Sequence, residues 1–344
     1  MAAVIRWLTA PVPLGRLAAF RTLVYLFVVA DLVVFTPWVR AHAALPVELY
    51  QPLLIGRLLP LPAPTPALVR GVFVALLLAA AVAATGRLPR LSGTVVALLY
   101  LEWMVIAFSY GKVDHDRFGL LVALAALATV GRARHGDPTR SQAAGWALRV
   151  TQLAVVATYF LAAWAKIRFG GWEWLTGGTL TWAVIRRGTA LGEALLAAPW
   201  LLVAAQVGIV AFELASPLVF VLRERWRSAA VGFFYSFHLV TFATITISFL
   251  PHLVAMASFL PLERVRPLRW WHRVAGAGRA ARPVPAGSGE PGVVSAGEPA
   301  AGSERPAGRL RQGAGGRTPR HPVPVAGDPA VDRPGDDADR AQGQ

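Results

Sequence analysis

The sequence predicts an all-α, polytopic integral-membrane helical bundle of six to eight transmembrane helices, followed by a disordered C-terminal tail. Three observations predict it. Hydrophobic residues make up 55% of 344 positions and mean hydropathy is +0.50, above the roughly 45–50% apolar share of a soluble domain. The excess is gathered into runs such as 71–84 and 201–222, close to the ~20 apolar residues that a helix needs to span a bilayer. Beyond about residue 270 the composition turns to Gly, Pro, Ala, Arg and Asp.

Taken in order, the spans fall at 17–36, 68–85, 91–109, 118–131, 146–167, 196–222, 228–248 and 251–262. The fourth and eighth are short for a crossing, so each is read as tilted, re-entrant or merged with a neighbour. The first carries Arg21 and Asp31 and lacks a small-residue cleavage site. It reads as a retained span, not a cleaved signal peptide. Residues 1–265 thus form the membrane domain and 266–344 the tail. The tail holds too little apolar surface to offset its ordering entropy, and its basic start suits anionic headgroups.

Arginine placement gives an independent topology. Short cytoplasmic loops are rich in basic residues. With the N-terminus inside, the inner loops are 86–90, 132–140 and 223–227, and 264–282 carries six arginines without an acid. The outer loops are 37–67, 110–117, 168–195 and the turn at Pro251. Eight crossings then put both termini in the cytoplasm of a multi-pass cell-membrane protein. The net charge of +15 lies at the ends of apolar runs and so does not indicate a nucleic-acid partner; the bilayer is the expected partner. The absence of cysteine excludes disulfides, thiolate metal sites and thiol nucleophiles.

Ionisable residues inside spans are costly and usually face a bundle interior or a cavity. Gln152, Tyr159 and Lys166 recur every seven residues, with Arg149 three before Gln152, so all four share one helical face. Lys112 and Lys166 are the only lysines. Lys166 has two readings: a snorkelling residue that ends its helix, or a desolvated amine serving as general base. His238, near the middle of its span, reads first as an inter-helix hydrogen bond. Glu213, seven beyond Gln206 and just before a kinking Pro217, reads as the partner of a neighbouring arginine. Arg21, Asp31 and Glu102 are expected to reach other helices, because Arg21 and Asp31 are poorly phased for a mutual contact. The run Asp114-His115-Asp116-Arg117 is a charged turn whose single histidine makes a metal centre unexpected. No phosphate-binding glycine loop, Ser/His/Asp arrangement or zinc-protease motif occurs.

Four local patterns, in order, resemble the HTTM family, the membrane domain shared by vitamin K-dependent γ-glutamyl carboxylases and many bacterial proteins. They are Phe20-Arg21 with Asp31; Asp114-His115-Asp116-Arg117-Phe118-Gly119-Leu120-Leu121; Tyr159-Phe160-Leu161-Ala162-Ala163-Trp164-Ala165-Lys166-Ile167 with Trp172; and Glu213 with Pro217, then Phe237-His238. The resemblance covers roughly residues 5–265. It implies that Lys166 matches the base that deprotonates reduced vitamin K, and that His115 matches a histidine beside it. Arg21, Asp31, Asp114, Tyr159, Glu213 and His238 are expected to line the pocket, and a reduced, vitamin K-like quinone is the implied cofactor. The carboxylases' lysine pair is Ala165-Lys166 here, and their large luminal domain has no counterpart. Two functions follow: a quinone- or lipid-handling enzyme with a peptide or protein substrate, or a non-catalytic scaffold that assists maturation or export of a partner peptide, as some shorter family members do.

Overall fold

A computed structural model of the chain describes residues 1–265. The expected tail, with its cytoplasmic end, lies outside them. In chain order the helices are α1 (Ala2–Leu8), α2 (Leu14–Ala30), α3 (Leu54–Leu58), α4 (Pro66–Ala84), α5 (Pro89–Phe108), α6 (Phe118–Thr129), α7 (Gln142–Ala165), α8 (Gly171–Thr176), α9 (Thr179–Arg187), α10 (Ala190–Ala194), α11 (Pro199–Ala215), α12 (Glu224–Ile245) and α13 (Leu250–Met256).

Among the described residues, six helical stretches are long and apolar enough to cross a membrane: Leu14–Phe35, Pro66–Ala84, Pro89–Phe108, Gln142–Thr176, Pro199–Phe220 and Glu224–Ile245. They correspond to the six long spans of the sequence, and the two short spans become α6 and Leu250–Phe259. Local signals set the boundaries. Proline occupies the first turn of α4, α5 and α11, where its missing N–H costs nothing. Thr65 caps α4 by accepting from the Leu68 N–H at 3.2 Å, and Ser141 caps α7 through the Ala144 N–H.

α2, α4, α5, α6 and α7 pack in succession around a core that includes Leu17, Phe20, Tyr25, Tyr100 and Trp103. Where helices approach closely the residues are small, as membrane packing without a hydrophobic driving force requires. A Cβ at Gly93 would meet the Tyr25 hydroxyl and lie 3.1 Å from the Ala128 backbone, and one at Gly119 would press on Val155 and Ala255.

Two features differ from expectation. A two-residue antiparallel ribbon, β1 (Val12–Pro13) with β2 (Arg140–Ser141), pairs Val12 with Ser141 and Pro13 with Arg140. It ties the starts of α2 and α7 together, and Arg16 holds Glu263 at 2.7 and 2.8 Å at the same end. The segment 168–195, expected as an outer loop, instead carries α8, α9 and α10. Lys166 therefore does not end the apolar stretch: the chain widens into a π turn at Lys166–Gly170 and continues as α8.

α6 is short for a crossing. Twelve residues measure only about 18 Å against a hydrocarbon core of about 30 Å. Arg21 Nη2 donates to the Val130 and Gly131 carbonyls just beyond its C-terminus, both at 3.0 Å. That contact holds one end of α6 beside α2, and at the other end Asp116 is buried while His115 stays exposed.

Candidate functional site

The polar stripe on α7 joins α7 to one neighbour after another. Arg149 donates to Gln152 Oε1 at 3.0 Å, and Gln152 Nε2 donates to the Ser258 carbonyl at 2.8 Å. Two turns on, the Tyr159 hydroxyl lies 2.7 Å from His238 Nε2 of α12. Two turns further, Lys166 Nζ donates to both carboxylate oxygens of Glu213 of α11, at 2.8 and 2.7 Å. The Trp174 ring covers the ammonium, its centroid 5.3 Å from Nζ. Glu213 is thus the partner of a lysine, not of an arginine, because α11 passes α7 at the height of Lys166. His238 is not isolated either: besides Tyr159 it meets His252 of α13, ring centroids 5.3 Å apart.

Tyr159, Lys166, Trp174, Glu213, His238 and His252 line a cavity of about 600 Å³. Its polar lining includes His115, Asp116, Tyr159, Lys166, Glu213 and His238. Its apolar lining comes from α9, α11 and α12, with Val184, Leu202 and Ile245 forming a small core of their own. The volume suits a drug-sized ligand, whose sites run about 300–1,000 Å³ with few polar groups. A ring-bearing lipid such as a reduced quinone fits this lining: apolar walls for a hydrocarbon body, with hydrogen-bonding groups gathered on one side.

His115 stands at the mouth of the cavity, with Phe249 6.4 Å away between centroids. Burial, and then the positive charge of Lys166, hold its imidazole below the usual histidine pKa, so at neutral pH it carries one N–H and one lone pair. Asp116 next to it is buried and lines the same cavity. Burial pushes its carboxyl up to about 6, against the opposing pull of Arg117.

Tyr159, Glu213 and His238 line this cavity, together with Lys166 and His115. Arg21, Asp31 and Asp114 do not. Arg21 is spent on the Val130 and Gly131 carbonyls just beyond α6. Asp31 Oδ2 accepts from Arg117 Nη1 at 2.6 Å and from the Tyr100 hydroxyl at 2.9 Å, inside the α2, α5 and α6 contact. Asp114 pairs at 2.7 Å with Lys112, which is 79% exposed. Sequence reasoning passed over His252, Asp116 and Trp174, and saw Gln206 without its role. His252 is 2% exposed, and neither ring nitrogen has a hydrogen-bond partner among the described residues. A histidine beside Pro251 in an apolar stretch was its only signal. Gln206 fastens the backbone of the next helices, donating to the Trp174, Leu175 and Gly177 carbonyls and accepting from the Leu180 N–H.

Fold and site together define a multi-pass helical membrane protein with an apolar cavity enclosed by its spans and an ion pair in the cavity wall. Residues 10–263 match the family described as HTTM domain, and the chain belongs to that family. No curated protein matches the chain, and no solved structure does.

Proposed function

We propose that the chain is a quinone- or lipid-handling membrane enzyme in which Lys166 is the general base and His115 supports it. The observation that carries this reading is the Lys166–Glu213 pair in the wall of an otherwise apolar cavity. A surface salt bridge would carry no such meaning. Here Glu213 is buried and Lys166 only 22% exposed in its side chain, so both charges are partly desolvated and mutual attraction repays only part of that cost. Moving one proton from Nζ to Glu213 turns the ion pair into a neutral pair and exposes the amine lone pair to the cavity. Glu213 then stores the proton, and Lys166 accepts the next one from a hydroxyl placed against it. The Trp174 ring keeps water from Nζ, and the neutral His115 imidazole at the mouth can pass a proton outward.

A reduced quinone, when bound, would supply the ionisable ring hydroxyl on which such a base acts. Tyr159 and His238, which already share one hydrogen bond, would orient a second polar atom of the ligand. The arginines of 86–90, 132–140 and 223–227 support a cytoplasmic N-terminal end in the cell membrane, with the Lys166 end on the opposite side.

The same pair favours a second reading. A doubly hydrogen-bonded Lys–Glu contact also locks α7 to α11, as a scaffold for a partner peptide would need. Purification from native membranes, with mass spectrometry of the co-purifying lipids and quinones, separates the two. The enzyme reading expects a quinone or related lipid in the wild type that is lost or changed in Lys166→Ala at unchanged abundance. If neither protein retains one, the base assignment falls, and the search turns to a captured peptide.

A further inference from the structure

α11 and α12 follow one another in the chain, joined by the turn at Ser216–Phe220 and the residues up to Arg223, yet their backbones seldom approach closely; Phe212 of α11 bridges them, its ring meeting Phe233, Phe234 and Phe237 of α12. α11 packs on α7, α8 and α9, whereas α12 packs on α9 and α10. Beyond that aromatic contact the cavity occupies the space between the two helices. Leu202, Ala205 and Ile209 line it from α11, and Phe237, Val240 and Thr241 from α12.

α9 straps this space. Val184 is 1% exposed, buried with Leu202 and Ile245, while Trp182 and Ile185 face outward, 70% and 57% exposed. Gln206 fastens the strap at one end through four backbone hydrogen bonds. Thr189 fastens the other, its N–H donating to the Thr244 carbonyl at 3.0 Å and its hydroxyl to that of Ala243 at 2.6 Å. Beside the strap the wall is thin: Leu201, next to Leu202 on α11, and Val240 on α12 both line the cavity and are 40% and 58% exposed. Because α11 and α12 are both membrane-length apolar helices, an opening in the wall between them gives onto lipid.

Charge limits what can enter. Among the described residues Lys166 is the one lysine or arginine in the lining, and Glu213 already neutralises it; Asp116 adds a further carboxyl. No positive charge is left over for a phosphate or carboxylate headgroup. We propose, on the reading of this cavity as a ligand site, that it is loaded sideways from the bilayer between α11 and α12 beside α9. Its ligand is an uncharged single-chain amphiphile, with its polar end toward Lys166, Glu213 and Tyr159 and its chain leaving past Leu201 and Val240. Two-chain lipids exceed a cavity of this size.

The test uses the full chain in phosphatidylcholine nanodiscs with two photoreactive probes, a diazirine-bearing long-chain alcohol and the corresponding fatty acid. Adducts are mapped by mass spectrometry. The alcohol is expected to label cavity positions such as Ile209 and Val240, with the acid several-fold weaker. Ala205→Trp and Val240→Trp, which narrow the opening from opposite walls, should each cut labelling at Ile209 several-fold. Labelling at Leu78, a lipid-facing residue of α4 that is 63% exposed, should not change and reports that the variant is folded. Cavity labelling that ignores both tryptophans, an acid that labels as well as the alcohol, or adducts confined to positions like Leu78 would overturn the proposal. Labelling that persists in Lys166→Ala supports the route even if the base assignment fails. Labelling absent from the wild type refutes the route and leaves the Lys166 assignment to its own experiment.

Discussion

Asp31→Asn is the sharpest available test of how the bundle is held together. Asp31 is fully buried and its partner Arg117 is 8% exposed in its side chain. The carboxylate takes a 2.6 Å charge-assisted bond from Arg117 and a 2.9 Å bond from Tyr100. Asparagine keeps the shape and can still accept from the Tyr100 hydroxyl. What is lost is the charge, which leaves the Arg117 guanidinium enclosed. Breaking one side of a buried pair costs about 3–5 kcal/mol, because the remaining charge is uncompensated. Asp116, whose carboxylate also attracts Arg117, softens this toward the lower figure. The comparison within the molecule is Asp114→Asn, which removes the exposed partner of Lys112 and should cost at most about 1 kcal/mol. The assay is reversible denaturant unfolding in mixed micelles, run on both single variants and on Asp31→Leu with Arg117→Leu together. The apolar double variant should regain much of the loss, since a buried ion pair replaced by packed hydrophobes is often neutral. If Asp31→Asn costs no more than Asp114→Asn, the ion pair is not the interior joint that its burial implies.

Lys166→Ala should behave differently. Lys166 is 22% exposed in its side chain, toward the cavity, so water can reach Glu213 after truncation and the chain should remain folded and inserted at wild-type abundance. Circular dichroism and membrane yield measure this, and collapse of either would mean that the pair is structural. Asp116→Asn should stabilise the protein at pH 8 more than at pH 5. Its carboxyl, raised to about 6, binds its proton more tightly folded than unfolded, so its favourable contribution is complete below about pH 4 and lost as pH rises through about 6. Unfolding midpoints at the two pH values check it: of the roughly 3 kcal/mol that a shift of this size carries in full, about half should appear between pH 5 and pH 8. His115 has the opposite sign: its lowered pKa means that stability falls as pH drops below the ordinary histidine value near 6.5. His115→Gln should flatten that acid limb and leave neutral pH unchanged. Gln206→Leu strips four hydrogen bonds from the backbone between Trp174 and Leu180. It should cost about 1–3 kcal/mol and speed hydrogen exchange through 174–188 while α2 and α5 stay protected.

Where sequence and structure part company, the reason is the same at each residue. Spans are written locally: a run of apolar residues is visible within its own twenty positions, and the six long ones stand where hydropathy puts them. The stripe of Gln152, Tyr159 and Lys166 is local too, since a spacing of seven fixes one face of one helix. What each stripe residue touches is not local. Lys166 meets a residue 47 positions away, Tyr159 one at 79 and Gln152 one at 106, and nothing in a single helix says which neighbour will arrive. Arg21 and Asp31 reach other elements, as their poor mutual phasing implied, and it was the resemblance that set them beside the pocket. An ionisable side chain in a span looks identical in sequence whether it faces a cavity or another helix, and here the residues flanking α6 at its two ends supply the partners of both. It is also why Asp116 went unmarked among four polar residues that read as a solvated turn. Its burial accompanies the shortness of the helix behind it: twelve residues cannot cross, and Asp116 lies buried just before their N-terminal end. A helix too short for the membrane is thus the sequence signal that was present for the site: where it stops, the chain delivers His115 and Asp116 to the cavity that Lys166 and Glu213 enter from the other side.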